Sequence, residues 1–179
     1  MRRSLLLSVI GTMLMLFAVT SLNAQPSRQG LPASIQMNLP NVSSSVVVDA
    51  SHIDWSVIQA EDQLRLSQNL PVRAGFLLPV NKSIDQDGEW TVLSDGRMMW
   101  RLKIETQGAV STGLIFDQFH LPEGAELYLY NDDRSFVIGA FTSDNNNLEN
   151  VFSTHLIPGS KVILEYIETP ENGIVNHPM

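Results

Sequence analysis

The chain has 179 residues, a formal net charge of −8 and no cysteine. That length accommodates one domain with extensions and a real buried core. The acidic balance works against binding a phosphate backbone, and the missing thiols exclude disulfide staples, thiol catalysis and cysteine-held metals.

Residues 1–24 come first. Arg2 and Arg3 precede the apolar run Leu5 to Val19, and Leu22-Asn23-Ala24 stands just before Gln25. That is the order of a secretory signal peptide cleaved after Ala24. The run is short for a membrane span, and Gly11, Thr12 and Thr20 dilute it. Export to the periplasm, the cell surface or the medium is therefore expected, with no membrane contact after cleavage. Loss of the two arginines takes the formal charge from −8 to −10. Export without cysteine suits a bacterial secreted protein better than an extracellular animal module. In that setting the sequons Asn41-Val42-Ser43 and Asn81-Lys82-Ser83 carry little weight.

Residues 25–83 read as a leader. Gln25 to Pro40 is rich in Pro, Ser, Gln and Asn, which predicts a loosely ordered segment. Val46-Val47-Val48 suits a short strand. A short helix is predicted over 54–68, with Asp54 as its N-cap and Pro71 beyond its end. Arg73 to Val80 then reads as extended chain between prolines.

Residues 84–169 read as the main domain, followed by a tail at 170–179. Asp87-Gly88 and Asp95-Gly96 bracket Glu89 to Ser94, predicting a hairpin. Met98, Trp100, Leu102 and Ile104 alternate with Met99, Arg101, Lys103 and Glu105, a period of two that turns the first set inward and the second toward solvent. Further strands are predicted at Ser111 to Phe116, Glu126 to Tyr130, Ser135 to Thr142, Val151 to Leu156 and Lys161 to Ile167. Phe119 is out of step with Leu114 and Phe116, which implies a bend. Pro122-Glu123-Gly124, Asn131-Asp132-Asp133 and Pro158-Gly159 serve as turns, and Ser143 to Asn147 as a polar loop. About seven short strands at regular spacing predict an all-β fold, an antiparallel β-sandwich of jelly-roll type.

Chemistry-bearing patterns are sparse. His52, His120, His155 and His177 lack the spacing of a zinc site, and no Gly-x-Ser-x-Gly elbow occurs. Ser111, Asp117 and His155 have no spacing that supports a triad. Asp85-Gln86-Asp87-Gly88-Glu89 begins like a calcium loop, but Gly96 stands where the late glutamate belongs. Asp144-Asn145-Asn146-Asn147 offers side-chain oxygens, and its default reading is a polar hairpin loop. Of Trp55, Trp90 and Trp100, the last alternates with core positions, and Trp90 could serve as core or as a sugar platform. No Gly-rich phosphate loop follows a strand. No residue is assigned a catalytic, cofactor-binding or metal-ligating role, and no cofactor is expected.

One set of fragments occurs in a familiar order. Ala60-Glu61-Asp62, Arg73-Ala74-Gly75, Gly88-x-Trp90 and Asp95-Gly96-x-x-x-Trp100-Arg101-Leu102 come first. Gly108-Ala109, Phe116-Asp117-x-Phe119 and Leu121-Pro122-x-Gly124-Ala125-x-Leu127-x-Leu129-Tyr130-Asn131 follow. Gly139-Ala140-Phe141-Thr142 and Pro158-Gly159-x-x-Val162-x-Leu164-Glu165-Tyr166 close the series. Together, over about residues 60 to 170, this resembles the N-terminal region of secreted bacterial trypsin-like serine proteases, the lysyl-endopeptidase-like enzymes of Bacteroidetes and their relatives.

In that family the region precedes the catalytic domain. The resemblance therefore implies a non-catalytic propeptide or accessory domain that packs on a protease domain, in cis or in trans, and assists its folding or covers its active site. The family's histidine and Gly-Asp-Ser-Gly-Gly signatures are absent, so no catalytic residue carries over and no enzymatic activity is expected, whatever the family-level label of serine endopeptidase. Either the chain is a fragment of a longer protease, its tail at 170–179 cut short, or the domain stands alone. The strands around Tyr128, Tyr130 and Phe136, apolar on both faces, are the expected contact surface. The alternative is a stand-alone binding module whose end loops grip a glycan or another cell-surface partner.

Overall fold

A computed structural model describes residues 27–28 and 30–168. The expectations for the signal peptide, His177 and the tail 170–179 lie outside the described residues. The described chain is strand-rich with few helices. Its helices are α1 (Ala33–Gln36) and α2 (Trp55–Ser67). Its first five strands are β1 (Ser45–Val47), β2 (Glu89–Val92), β3 (Met98–Glu105), β4 (Ser111–Thr112) and β5 (Ile115–Phe116). The remainder are β6 (Glu126–Asn131), β7 (Val137–Phe141), β8 (Phe152–Ser153), β9 (Ile157–Pro158) and β10 (Lys161–Glu168).

The main sheet runs in the order β1-β3-β10-β6-β7, and β2 pairs with β3 as well. Its spine is the antiparallel β3–β10 ladder, in which Leu102 faces Leu164 and Arg101 faces Glu165. The predicted β2–β3 hairpin forms, with Trp90 opposite Trp100. The expectation of a wholly antiparallel sheet is corrected at one edge, where β1 runs parallel to β3. A parallel neighbour needs a long crossover, and α2 with its flanking segments supplies one.

One face of this sheet carries the alternation of Trp100, Leu102 and Ile104 together with Leu127, Leu129, Val162, Leu164 and Tyr166, all buried. Two small ladders join that core. The strand predicted over Ser111 to Phe116 divides into β4, which pairs with β9, and β5, which pairs with β8. Pro158 therefore belongs to a ladder as well as to its turn. Phe119, past the bend, stacks on Phe152 with ring centroids 4.4 Å apart, and Phe152 meets the edge of Phe141 at 4.8 Å. Each such buried aromatic contributes roughly 1.5–3 kcal/mol.

The opposite face overturns an expectation. Met99 and Arg101 were predicted to face solvent, yet both are buried, as are Tyr128, Tyr130, Ile163, Glu165 and Ile167. The cover is the N-terminal segment predicted to be loosely ordered. Arg28 exchanges two backbone hydrogen bonds with Ala140, at 3.0 and 2.9 Å, along the edge of β7. Ala33 and Ser34 of α1 then sit fully buried on the sheet. Arg134 donates to the Leu39 carbonyl and Arg101 to the Pro40 carbonyl, both at 2.8 Å. The segment is polar in composition because its polar groups answer polar groups of the sheet. Arg28 and the stretch from Ala33 to Val48 thus pack against the sheet of the main domain.

Candidate interaction surface

Most residues with chemical promise turn out to be committed to structure. His52, His120 and His155 are exposed, and no group of three His, Cys, Asp or Glu converges among the described residues. The His155 Nδ1 accepts the neighbouring Leu156 N–H at 2.8 Å, and no hydrogen bond joins His155 to Ser111 or Asp117. In the stretch resembling the start of a calcium loop, Asp87 takes the Lys82 ammonium at 2.8 Å and the Ser83 N–H at 3.1 Å. That ammonium holds the Asp87 carboxyl below its ordinary range. Glu89 takes Arg101 at 3.2 Å and the Ser43 hydroxyl at 2.6 Å.

The Asp144–Asn147 run is a set of loop ties. Asp144 pairs with Arg28 at 3.3 Å, and the Asn145 side chain accepts the Thr142 N–H at 2.9 Å. Asn146 accepts from the Leu121 N–H and donates to the Leu121 carbonyl, and Asn147 does the same with Val151. Trp100 is core, its Nε1 donating to the Asp87 carbonyl at 2.7 Å, and half-buried Trp90 meets Tyr166 edge-on at 6.1 Å.

A polar cluster that sequence reasoning missed lies beneath α1. Glu165 is 0 % exposed. Its carboxylate accepts the Ser34 N–H at 3.1 Å and the Tyr130 hydroxyl at 2.9 Å. Because the Tyr130 proton goes to Glu165, the 2.9 Å contact between Ser34 Oγ and Tyr130 has serine as donor. The sequence held one signal, Glu165 between Leu164 and Tyr166 in one strand and Arg101 between Trp100 and Leu102 in the strand that pairs with it. The expectation that Tyr128 and Tyr130 form a contact surface is corrected by the same observation: α1 and its flanks cover them. Phe136 is half-buried against the core.

The exposed apolar surface is elsewhere, on α2 and the chain that follows it. Asp54 caps the helix as predicted, accepting the N–H groups of Ser56 at 3.0 Å and Val57 at 3.3 Å. Asn69, in the left-handed region at φ 53°, ends the helix before Pro71. No residue of the helix is buried. An isolated helix of this length is marginal in water, so its support comes from the segment that folds back along it. Arg65 donates to the Pro71 carbonyl at 2.7 Å, and Trp55 meets Phe76 edge-on at 5.4 Å. Arg73 pairs with Asp62 at 2.8 Å and with Glu61, and lies 5.1 Å from the Phe76 ring centre. The unit still leaves Val57, Leu64, Leu66, Leu70, Val72 and Leu77 in solvent, Leu77 at 83 %. These residues lie along one stretch of chain, between Trp55 and Leu77.

No protein-family model matches the chain, and no solved structure matches it.

Proposed function

We propose that this chain is a non-catalytic exported domain of β-sandwich form that docks on a trypsin-like protease domain, as the resemblance implies. The two short ladders laid over one face of the main sheet are consistent with a sandwich. The single observation that supports docking is the α2 unit. It presents exposed leucines and valines on and after a helix with no fully buried residue among the described residues. A partner would bury them and supply the stability a lone helix lacks.

The test is calorimetric titration of the purified chain into a lysyl-endopeptidase-type catalytic domain, with peptidase activity followed in parallel. Saturable binding is expected, together with altered activity or refolding yield of the protease. Leu64→Ser with Leu66→Ser should weaken binding at least tenfold, about 1.4 kcal/mol, while leaving the thermal midpoint within a few degrees. Absence of binding, or binding indifferent to the double substitution, would refute the reading. Peptidase activity in the chain alone would refute its non-catalytic part.

A further inference from the structure

A cavity of about 350 Å³ lies against the face of the sheet covered by the two ladders, between the 80–85 loop and the 114–121 segment. Its floor includes Trp100, Leu102, Leu127 and Leu164, side chains of the core. Its mouth carries Lys82, Asp85, Asp117 and His120.

The charges at the mouth do not balance. Lys82 is already paired with Asp87 at 2.8 Å. Asp85 and Asp117 are exposed, and neither side chain has an ion pair or hydrogen bond among the described residues. A third carboxylate stands behind the wall. Tyr166, which lines the cavity, donates its hydroxyl to Glu168 at 2.6 Å, and the other Glu168 oxygen is buried with no hydrogen-bond partner among the described residues. A negative field thus bears on an apolar hollow, and a cation entering it would be favoured over an anion of the same shape.

We infer that this cavity binds an organic cation, a primary ammonium carried on a compact apolar or aromatic body. The apolar body fills the floor over Leu102 and Leu164, and the ammonium lies at the mouth between Asp85 and Asp117. A volume at the small end of the ligand-pocket range fits about ten to twelve non-hydrogen atoms. This inference is independent of docking through α2, because the two surfaces share no residue.

The test titrates the full chain with 2-phenylethylammonium and with 3-phenylpropanoate, followed by calorimetry and by tryptophan fluorescence. The ammonium should bind saturably with a dissociation constant of about 1 mM or tighter, and the carboxylate at least tenfold more weakly. Asp85→Asn with Asp117→Asn, both at exposed positions, should lower ammonium affinity about tenfold without moving the thermal midpoint. Leu114→Trp, which narrows the hollow, should weaken it independently of charge. Phenylalanyl-glycine amide distinguishes a peptide amino terminus from a free amine as the source of the ammonium, according to which binds more tightly. Equal binding of the carboxylate, failure of the ammonium to saturate, or indifference to the Asp85 and Asp117 substitutions would overturn the inference.

Discussion

The Nε of Arg73 donates to Asp62 at 2.8 Å, and its Nη2 reaches Glu61, so two short sequence fragments eleven residues apart close into one clamp. Ala60-Glu61-Asp62 and Arg73-Ala74-Gly75 are both among the fragments that carry the family resemblance. Their pairing gives them a mechanical role, holding the post-helical segment along α2. Arg73→Ala should release that segment. Because the partners are partly exposed and screened by solvent, the cost to global stability is small. The expected signature is faster proteolysis and amide exchange across 69–80, with an almost unchanged unfolding midpoint. Unaltered cleavage there would show that the clamp does not hold the segment.

Glu165 is the anchor of the N-terminal cover. Glu165→Ala leaves the Ser34 N–H and the Tyr130 hydroxyl without their acceptor, and should cost about 2–5 kcal/mol in urea unfolding. Glu165→Gln is milder, about 1 kcal/mol, since its amide can donate to Tyr130 while Tyr130 turns its proton to Ser34. Exchange of the Ser34 amide should accelerate in the alanine variant first. Equal losses in the two variants would mean that the glutamine amide does not replace the hydrogen bonds of the carboxylate.

Two glycines in left-handed backbone should respond differently to alanine. At Gly88, φ +82°, a Cβ would collide with Trp100 Nε1 and lie 2.8 Å from the Arg101 carbonyl. Gly96 has φ +88° with open space around it. Gly96→Ala should cost about 1–2 kcal/mol from backbone strain. Gly88→Ala adds overpacking of roughly 1–3 kcal/mol, and it threatens the bond from Trp100 to the Asp87 carbonyl. Matching midpoints for the two variants would contradict this account.

Alkaline pH should act through the tyrosines. Burial first, then Glu126, pushes the Tyr128 hydroxyl up to about 12. Burial and Glu165 raise Tyr130, and burial and the hydrogen bond to Glu168 raise Tyr166. With folded values above the unfolded value of about 10, their stabilisation is complete below pH 10 and is lost as pH rises toward the folded values. A spectroscopic titration should show no phenolate step near pH 10 in the folded chain, only a late rise that coincides with unfolding. A tyrosine that titrates near 10 without unfolding would disprove the burial of its hydroxyl.

The acid limb runs the opposite way. Lys82 holds Asp87 low, Arg97 holds Asp95 low, and the Ser45 hydroxyl is the first cause of the lowering at Glu105. Depressed carboxylates contribute stability above their unfolded values of about 4, and that contribution disappears as pH falls through the folded ones. Stability should therefore be flat from neutrality to about pH 5 and decline below about pH 4. An unfolding midpoint that rises on acidification would oppose it.

Local chemistry determined several elements of this protein by itself. The Asp54 cap set the start of α2, Asp95-Gly96 made the turn between β2 and β3, and the period of two in β3 put Trp100, Leu102 and Ile104 into the core. These signals act within a few residues, so they are readable from spacing. Only the tertiary structure decided what covers the other face of β3. Met99 and Arg101 look solvent-bound by alternation, and they are buried because the N-terminal segment covers that face and hydrogen-bonds to the Arg101 Nη1, to Tyr130 and to Glu165 across long sequence separations. Hydrophobicity patterns do not encode such pairing, because burial of a polar group depends on a distant partner with the matching donor or acceptor. For the same reason Tyr128 and Tyr130, expected at a contact surface, are buried, while Leu64, Leu66 and Leu77 on and after α2 are exposed.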